Sequence, residues 1–211
     1  MSKIYFASDL HLGVPNKEKS LEREKLFIQW LDQVKKDAEA IYLLGDVFDF
    51  WFEYKKVVPR GYVRLLGKLA EISDSGIPIH FFTGNHDMWV FDYLEEELNI
   101  KIYRNPIEVT LKGKTFLLGH GDGLGPGDKG YKIIKMIFRS KICQWLFSRI
   151  HPNLAFTIAE NWSKKSRIAN GVKDEVNLGE KEWLTQYCKQ KMKTSDAEFF
   201  IFGHRHLPME V

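Results

Sequence analysis

Five short clusters of carboxylate, amide and imidazole side chains recur along the chain: Asp9-Leu10-His11, Gly45-Asp46-Val47-Phe48-Asp49, Gly84-Asn85-His86-Asp87, Gly119-His120-Gly121-Asp122 and Gly203-His204-Arg205-His206. They supply seven oxygen and nitrogen donors, Asp9, His11, Asp46, Asn85, His120, His204 and His206, and no thiolate. Such a set is too soft for calcium and too rich in nitrogen for a pure magnesium site, which favours Mn, Zn or Fe. Seven ligands exceed the needs of one open catalytic ion and fit two ions about 3.5–4 Å apart that share a carboxylate. A single such cluster reads as a turn or a helix cap, and the glycines before Asp46, Asn85, His120 and His204 as turn formers. Five in succession with compatible donors point to a dinuclear metal site.

Donors this far apart in sequence need elements that bring them together. Each cluster follows a short apolar run: Ile4–Ala7, Ile41–Leu44, Ile79–Phe82, Phe116–Leu118 and Phe199–Phe202. Continuous rather than alternating hydrophobicity predicts strands buried on both faces. Ligand sites in open α/β sheets form outside the carboxyl ends of strands, so the five clusters can share one rim. In extended chain the Asp9-x-His11 and His204-x-His206 pairs would point to one side. Leu26, Phe27, Trp30, Leu31 and Val34 recur at helical spacing over 21–36, and Val63, Leu65, Leu66, Leu69, Ala70 and Ile72 do so before Gly76-Ile77-Pro78. This alternation predicts an α/β protein. A hairpin of 107–111 and 115–118 around Lys112-Gly113-Lys114 would make its sheet mixed.

Charge divides the chain further. The 31 basic and 28 acidic residues give a net +3, but Lys129–Lys173 alone holds ten basic residues and one acid, a local +9 that leaves −6 elsewhere. In this stretch Lys132, Lys135 and Arg139 form one helical stripe with Ile133, Ile134, Ile137, Phe138, Trp145 and Leu146 opposite, over Tyr131–Ile150. A second helical stretch runs from Leu154 to Val176. We read 129–176 as a helical cap inserted into a core formed by 1–128 and 177–211. With 44% hydrophobic and 28% charged residues, the chain is neither disordered nor a membrane bundle. No segment approaches the roughly 18 apolar residues of a spanning helix. Asp9 and His11 argue against a signal peptide at the start, and Cys143 and Cys188, without CxxC spacing, read as reduced bystanders in a cytosolic protein.

Asp9-Leu10-His11, Gly45-Asp46, Gly84-Asn85-His86-Asp87, Gly119-His120 and Gly203-His204-Arg205-His206 resemble the motifs of the calcineurin-like metallophosphoesterases. The resemblance spans essentially the whole chain and implies an α+β, four-layer β-sandwich flanked by helices. It also implies a division of ligands: Asp9, His11 and His206 on one metal, Asn85, His120 and His204 on the other, and Asp46 bridging. Two such cations lower the pKa of a bridging water toward about 7 for in-line attack on phosphorus. His86 would then be the acid or electrostatic stabiliser for the leaving oxygen, oriented by Asp87.

Three further features narrow the resemblance: the aromatic segment after Asp46, the acid Asp128, and Ser166, Asn170 and Lys173 along one face of a cap helix. They resemble the family branch that cleaves the pyrophosphate of UDP-2,3-diacylglucosamine in lipid A synthesis. That resemblance implies Mn²⁺ as cofactor and a lipid nucleotide substrate contacted by Asn85, His86, Asp128, Ser166, Asn170, Lys173 and His204. It further implies acyl chains held by the apolar residues of the cap, and a cytoplasmic location, peripheral on the inner membrane. The basic stripe would meet anionic lipid, each cation contributing about 1 kcal/mol. Some members of the branch carry Arg where this chain has His86. The alternative is a phosphodiesterase acting on another nucleotide or on nucleic acid, but the large aliphatic side chains of the +9 segment favour an acyl site over a base-stacking groove.

Overall fold

The computed structural model describes residues 2–174 and 178–210, with side chains for 2–166 and 178–210. The described elements fall into two units, Met1–Asn105 and Pro106–Val211. The first contains four strands, β1 (Lys3–Ala7), β2 (Ala38–Leu43), β3 (Ile79–Phe82) and β4 (Lys101–Tyr103), and three helices, α1 (Lys17–Val34), α2 (Val63–Asp74) and α3 (Tyr93–Leu98). The strands pair in sequence order, every pair parallel. Phe27, Leu31 and Val34 of α1 and Leu65, Leu69 and Ile72 of α2 close one core with Ile41, Leu43, Ile79 and Phe81. Each such side chain contributes about 1.5–3 kcal/mol by leaving water. The opposite face carries a stacked row, with Tyr42 5.3 Å from Phe6 and 4.4 Å from His80. Both faces are therefore apolar, as continuous hydrophobic runs require.

Helix α1 begins at Lys17, ahead of its apolar face, because the Asn16 side chain accepts from Lys19 N at 2.9 Å. Helix α2 has no such local cap: Tyr62 precedes it in the left-handed region without a side-chain bond. A buried acid from α1 replaces the cap, with Glu24 Oε1 accepting from Leu65 N at 3.0 Å. Helix α3 is begun in the same way. Glu53 Oε2 accepts from Phe91 N and Asp92 N at 2.8 Å and from Tyr93 N at 3.2 Å. Its other oxygen accepts from Trp51 Nε1 at 2.8 Å. Neither α3 nor β4 has a sequence signature, because both are short and the acid that starts α3 belongs to a distant loop.

The second unit contains β5 (Ile107–Leu111), β6 (Lys114–Gly119), α4 (Lys129–Arg139), α5 (Lys141–Phe147), α6 (Pro152–Asp174), a 3₁₀ turn (Gly179–Lys181), α7 (Trp183–Lys191) and β7 (Phe199–Phe202). β5 and β6 form the expected hairpin, turned by Lys112 (φ 51°) and Gly113 (φ 77°), the doubly left-handed turn that matches strand twist. β7 joins β6 in parallel. The mixed pairing is thus confined to a second sheet, and the first is wholly parallel. Apolar runs do not encode which strand lies beside which.

The single helix read over Tyr131–Ile150 is broken at Ser140, whose ψ of 124° is extended. The break is satisfied on both sides: Ser140 O accepts from Gln144 N at 2.9 Å, and Gln144 Nε2 donates to Phe138 O at 3.0 Å. The proposed cap, 129–176, lies within the second unit, and its last residue, Val176, lies outside the described residues. Two of the three stripe cations turn inward. Lys135 Nζ donates to Asp122 O at 2.9 Å, and Lys132 Nζ donates to Gly125 O. The exposed surface combines Lys129, Arg139, Lys141 and Arg149 with large apolar side chains, Ile133, Met136, Ile137, Ile142, Trp145 and Leu146 being between 46% and 72% exposed. Among the described residues no helix is long and apolar enough to cross a membrane. Cys143 and Cys188 are free.

Because Glu24 caps a helix from a buried position, Glu24→Ala is expected to destabilise the protein by about 1–3 kcal/mol, by stranding the Leu65 N–H. Glu24→Gln, which keeps the acceptor, should cost less. Urea unfolding of both variants checks this, and equal losses would refute the cap.

Candidate metal centre

The loops after β1 and β2 continue to pair beyond their strands. Asp9 N donates to Gly45 O at 3.0 Å, while His11 N and Leu12 N donate to Asp46 O and Val47 O at 2.9 Å. Arg23 of α1 holds this loop from outside, donating to Leu10 O at 2.9 Å and His11 O at 2.8 Å. Asp9, His11 and Asp46 adopt φ of 56°, 44° and 52°, and His204 in the second unit 70°. Extended-chain alternation therefore does not aim these residues. They sit in left-handed turns, a conformation that costs non-glycine residues free energy and persists where surrounding bonds impose it.

Asp46 is almost fully buried, and its Oδ1 accepts from His86 N at 2.8 Å. A Cβ on Gly84 would lie 2.2 Å from that same oxygen, so the glycine makes room for the carboxylate. His11 Nε2 faces Asp9 Oδ1 at 3.9 Å and Asp46 Oδ2 at 3.7 Å. His11, Asp46 and His86 each offer a ligand atom within 4.8 Å of the others. Carboxylate oxygen and imidazole nitrogen converging in a mostly buried pocket fit a borderline divalent cation.

The other edge of each imidazole is also placed. His86 Nδ1–H donates to Asp49 O at 2.9 Å, which leaves Nε2 for chemistry. Asp49 Oδ1, buried, lies 3.4 Å from His86 Nδ1 and 3.8 Å from His11 Nδ1. The two rings meet edge to face at 4.8 Å. Asp87, expected to orient His86, is fully buried and braces backbone: its carboxylate accepts from Gly84 N at 2.7 Å, Val47 N at 2.8 Å and Phe48 N at 3.4 Å. Asp49 occupies the orienting position instead. Its signal is the second carboxylate of Gly45-Asp46-Val47-Phe48-Asp49, close enough to Asp46 to share its loop. Asn85 is half-buried beside His86. Of the aromatic segment, Phe48, Trp51 and Phe52 are core side chains.

In the second unit His120 is buried at the end of β6, and its ring lies 5.2 Å from that of His204, which follows β7. Gly121, between His120 and Asp122, stands at φ 113°, a conformation that L side chains rarely adopt, and a Cβ there would crowd Leu184 Cδ2 at 3.3 Å. His206 is exposed. Asp122 bonds Lys135 Nζ at 2.6 Å and the Tyr131 hydroxyl. Burial pushes its carboxyl up, but His120, Lys135 and Tyr131 outweigh burial and hold it below the usual carboxylate range. Asp128 is the N-cap of α4, accepting from Tyr131 N at 3.3 Å. Ser166 is half-buried on α6. The side chains of Asn170 and Lys173 lie outside the described residues.

Comparison with known proteins adds three observations. Residues 2–208 match the model of the calcineurin-like phosphoesterase family. A protein of Porphyromonas gingivalis named UDP-2,3-diacylglucosamine hydrolase is 40% identical, over 100% of this chain and 85% of its own length. Proteins of the same name from Histophilus somni and Edwardsiella ictaluri are 29% and 28% identical, over 98% and 96% of this chain and 85% and 75% of theirs.

The two aspartates should separate on substitution. Asp87→Ala strands three backbone N–H groups and is expected to cost about 2–4 kcal/mol of stability. Asp49→Asn keeps the backbone carbonyl oxygen that accepts from His86 Nδ1 but removes the charge 3.8 Å from Nδ1 of the proposed ligand His11. It should cost less stability than Asp87→Ala and weaken Mn²⁺ binding about 10-fold, the lower end of the loss of a partner behind a ligand. Urea unfolding of the metal-free variants and Mn²⁺ titration check both, and an Asp49→Asn protein with normal Mn²⁺ affinity would contradict the assignment.

Proposed function

The chain belongs to the calcineurin-like phosphoesterase family, and from that premise we propose that it is a dinuclear-metal hydrolase that cleaves the pyrophosphate of UDP-2,3-diacylglucosamine to UMP and 2,3-diacylglucosamine 1-phosphate. The observation that carries this reading is the 40% identity, across the whole chain, to a protein named for hydrolysis of that lipid nucleotide. Asp9, His11 and His206 would hold one ion and Asn85, His120 and His204 the other, with Asp46 available to both. Two divalent cations, with Mn²⁺ the best match to these donors, supply an activated water at neutral pH and neutralise charge on the phosphoryl oxygens. Water adds across the P–O–P bridge: an oxygen–phosphorus bond forms, the bridging bond breaks, and the leaving phosphate oxygen takes up a proton.

The protein's own part is orientation and proton delivery. His86, with Nδ1 committed to Asp49 O, directs Nε2 at the leaving oxygen as its acid or electrostatic stabiliser. Asp87 keeps the two loops that carry Asp46 and His86 in register through their backbone N–H groups. Asn85, His86, Asp128, Ser166, Asn170, Lys173 and His204 contact the substrate. The apolar face of α4 and α5 receives acyl chains and rests against lipid, which makes the protein peripheral on the cytoplasmic side of the inner membrane. The exposure of six large apolar side chains on α4 and α5 supports this part of the reading, since large exposed apolar patches mark protein or membrane interaction sites.

The test is Mn²⁺-dependent release of UMP from the lipid nucleotide, with ADP-ribose and a cyclic nucleotide as controls. Hydrolysis of the controls at comparable rates would overturn the substrate. His120→Ala should lower turnover more than about 100-fold, beyond the loss of an outer partner, and normal turnover would refute the ligand set. Leu146→Asp should weaken use of the diacyl substrate about 10-fold, or about 1.4 kcal/mol, while sparing a small phosphodiester. Equal losses on both substrates would remove the acyl role of the cap.

A further inference from the structure

Two of the proposed ligands, His204 and His206, flank Arg205 in the turn after β7. His204 stands at φ 70°, and the local bond from Arg205 N to Gly203 O spans 2.8 Å. A non-glycine residue in the left-handed region relaxes unless its surroundings fix it. The Arg205 side chain provides a fixing point, because its Nη2 donates to Glu182 Oε1 at 3.0 Å. This ion pair is shielded, with side-chain exposures of 16% for Arg205 and 6% for Glu182.

Glu182 is tied on every side. Its Oε1 also accepts from Leu178 N at 3.1 Å, and its backbone carbonyl accepts from Gln186 N at 2.9 Å at the start of α7. The adjacent residue reaches the loop after His120: a Cβ on Gly125 would lie 2.1 Å from Trp183 O, and one on Gly127 would lie 1.9 Å from the Trp183 ring. Glu182 and Trp183, where the chain returns from the cap, therefore touch the loops after both His120 and His204. We propose that Glu182 is a positioning residue for the metal ligands His204 and His206, acting through Arg205. Its carboxylate holds the guanidinium, the guanidinium holds the peptide between the two histidines, and the strained turn keeps both imidazoles aimed.

The inference rests on the dinuclear reading above, so its test measures the metal directly. Full-length E182A, E182Q, R205A and the double variant E182A/R205A are compared by Mn²⁺ titration, by kcat and KM for UMP release, and by thermal unfolding without metal. Because His206 serves one ion and His204 the other, E182A is expected to bind both Mn²⁺ ions about 10–100-fold more weakly, with kcat falling. E182Q, whose amide oxygen still accepts from Arg205, should recover most of that affinity. In the R205A background, which leaves no unpaired buried cation, E182A should cost less than about 2-fold more, because residues acting through one contact are not additive. E182A with wild-type Mn²⁺ affinity, losses that add in the double variant, or an E182Q protein that binds Mn²⁺ as weakly as E182A would each overturn the proposal. A wild-type protein that takes up no Mn²⁺ would overturn the dinuclear reading itself. Wild-type uptake with an indifferent E182A removes only the role of Glu182.

Discussion

One buried carboxylate sets the geometry of the first unit. Asp87 accepts backbone N–H groups from Gly84 in its own loop and from Val47 and Phe48 in the loop after β2. Without it, two irregular segments would carry unsatisfied donors away from water, at about 1–3 kcal/mol each. With it, the loops are locked in register and Asp46 meets His86 N across the gap. Gly84 completes the arrangement by leaving out the methyl that would collide with Asp46. A site that needs imidazoles placed to a fraction of an ångström depends on bonds that involve no donor directly.

The same device recurs at Glu24, which starts α2, and at Glu53, which starts α3. Both acids are buried and act at helix starts remote from them in sequence. Buried carboxylates of the first unit thus take two roles, facing histidine nitrogens as Asp49 does and tying the backbone from within as Asp87, Glu24 and Glu53 do, while Asp46 does both. Residue type alone does not distinguish them. Asp87 and Asp49 both lie in the motif loops, yet Asp49 faces the imidazoles of His11 and His86 while Asp87 braces the backbone of both loops.

The basic segment shows the same dependence on packing. Ten cations in Lys129–Lys173 suggest a positively charged outer face, but Lys132 and Lys135 donate inward to carbonyls of the Gly121–Gly125 loop region. A long lysine stem reaches a nearby carbonyl or acid, satisfying loop groups that no regular element pairs. Apolar side chains such as Ile142 and Trp145 are left outward beside the cations that stay exposed, among them Arg139, Lys141 and Arg149.

The sequence by itself determined the chemistry and most of the scaffold. Carboxylate, amide and imidazole donors after apolar runs identified where donors lie, and hydrophobic periodicity located α1, α2, the hairpin and the strands β1, β2, β3 and β7. These features are local: each is written in a stretch whose own residues satisfy the rule that creates it. Only the tertiary structure decided that the apolar runs divide between a parallel and a mixed sheet, that Ser140 breaks the cap helix, and that α3 begins on Glu53. It alone decided that Asp9, His11, Asp46 and His204 are aimed by left-handed turns, and that Asp49 rather than Asp87 faces His86. Each of these outcomes depends on a hydrogen bond or close approach between segments far apart in the chain, and partners chosen across such distances leave no periodicity to read.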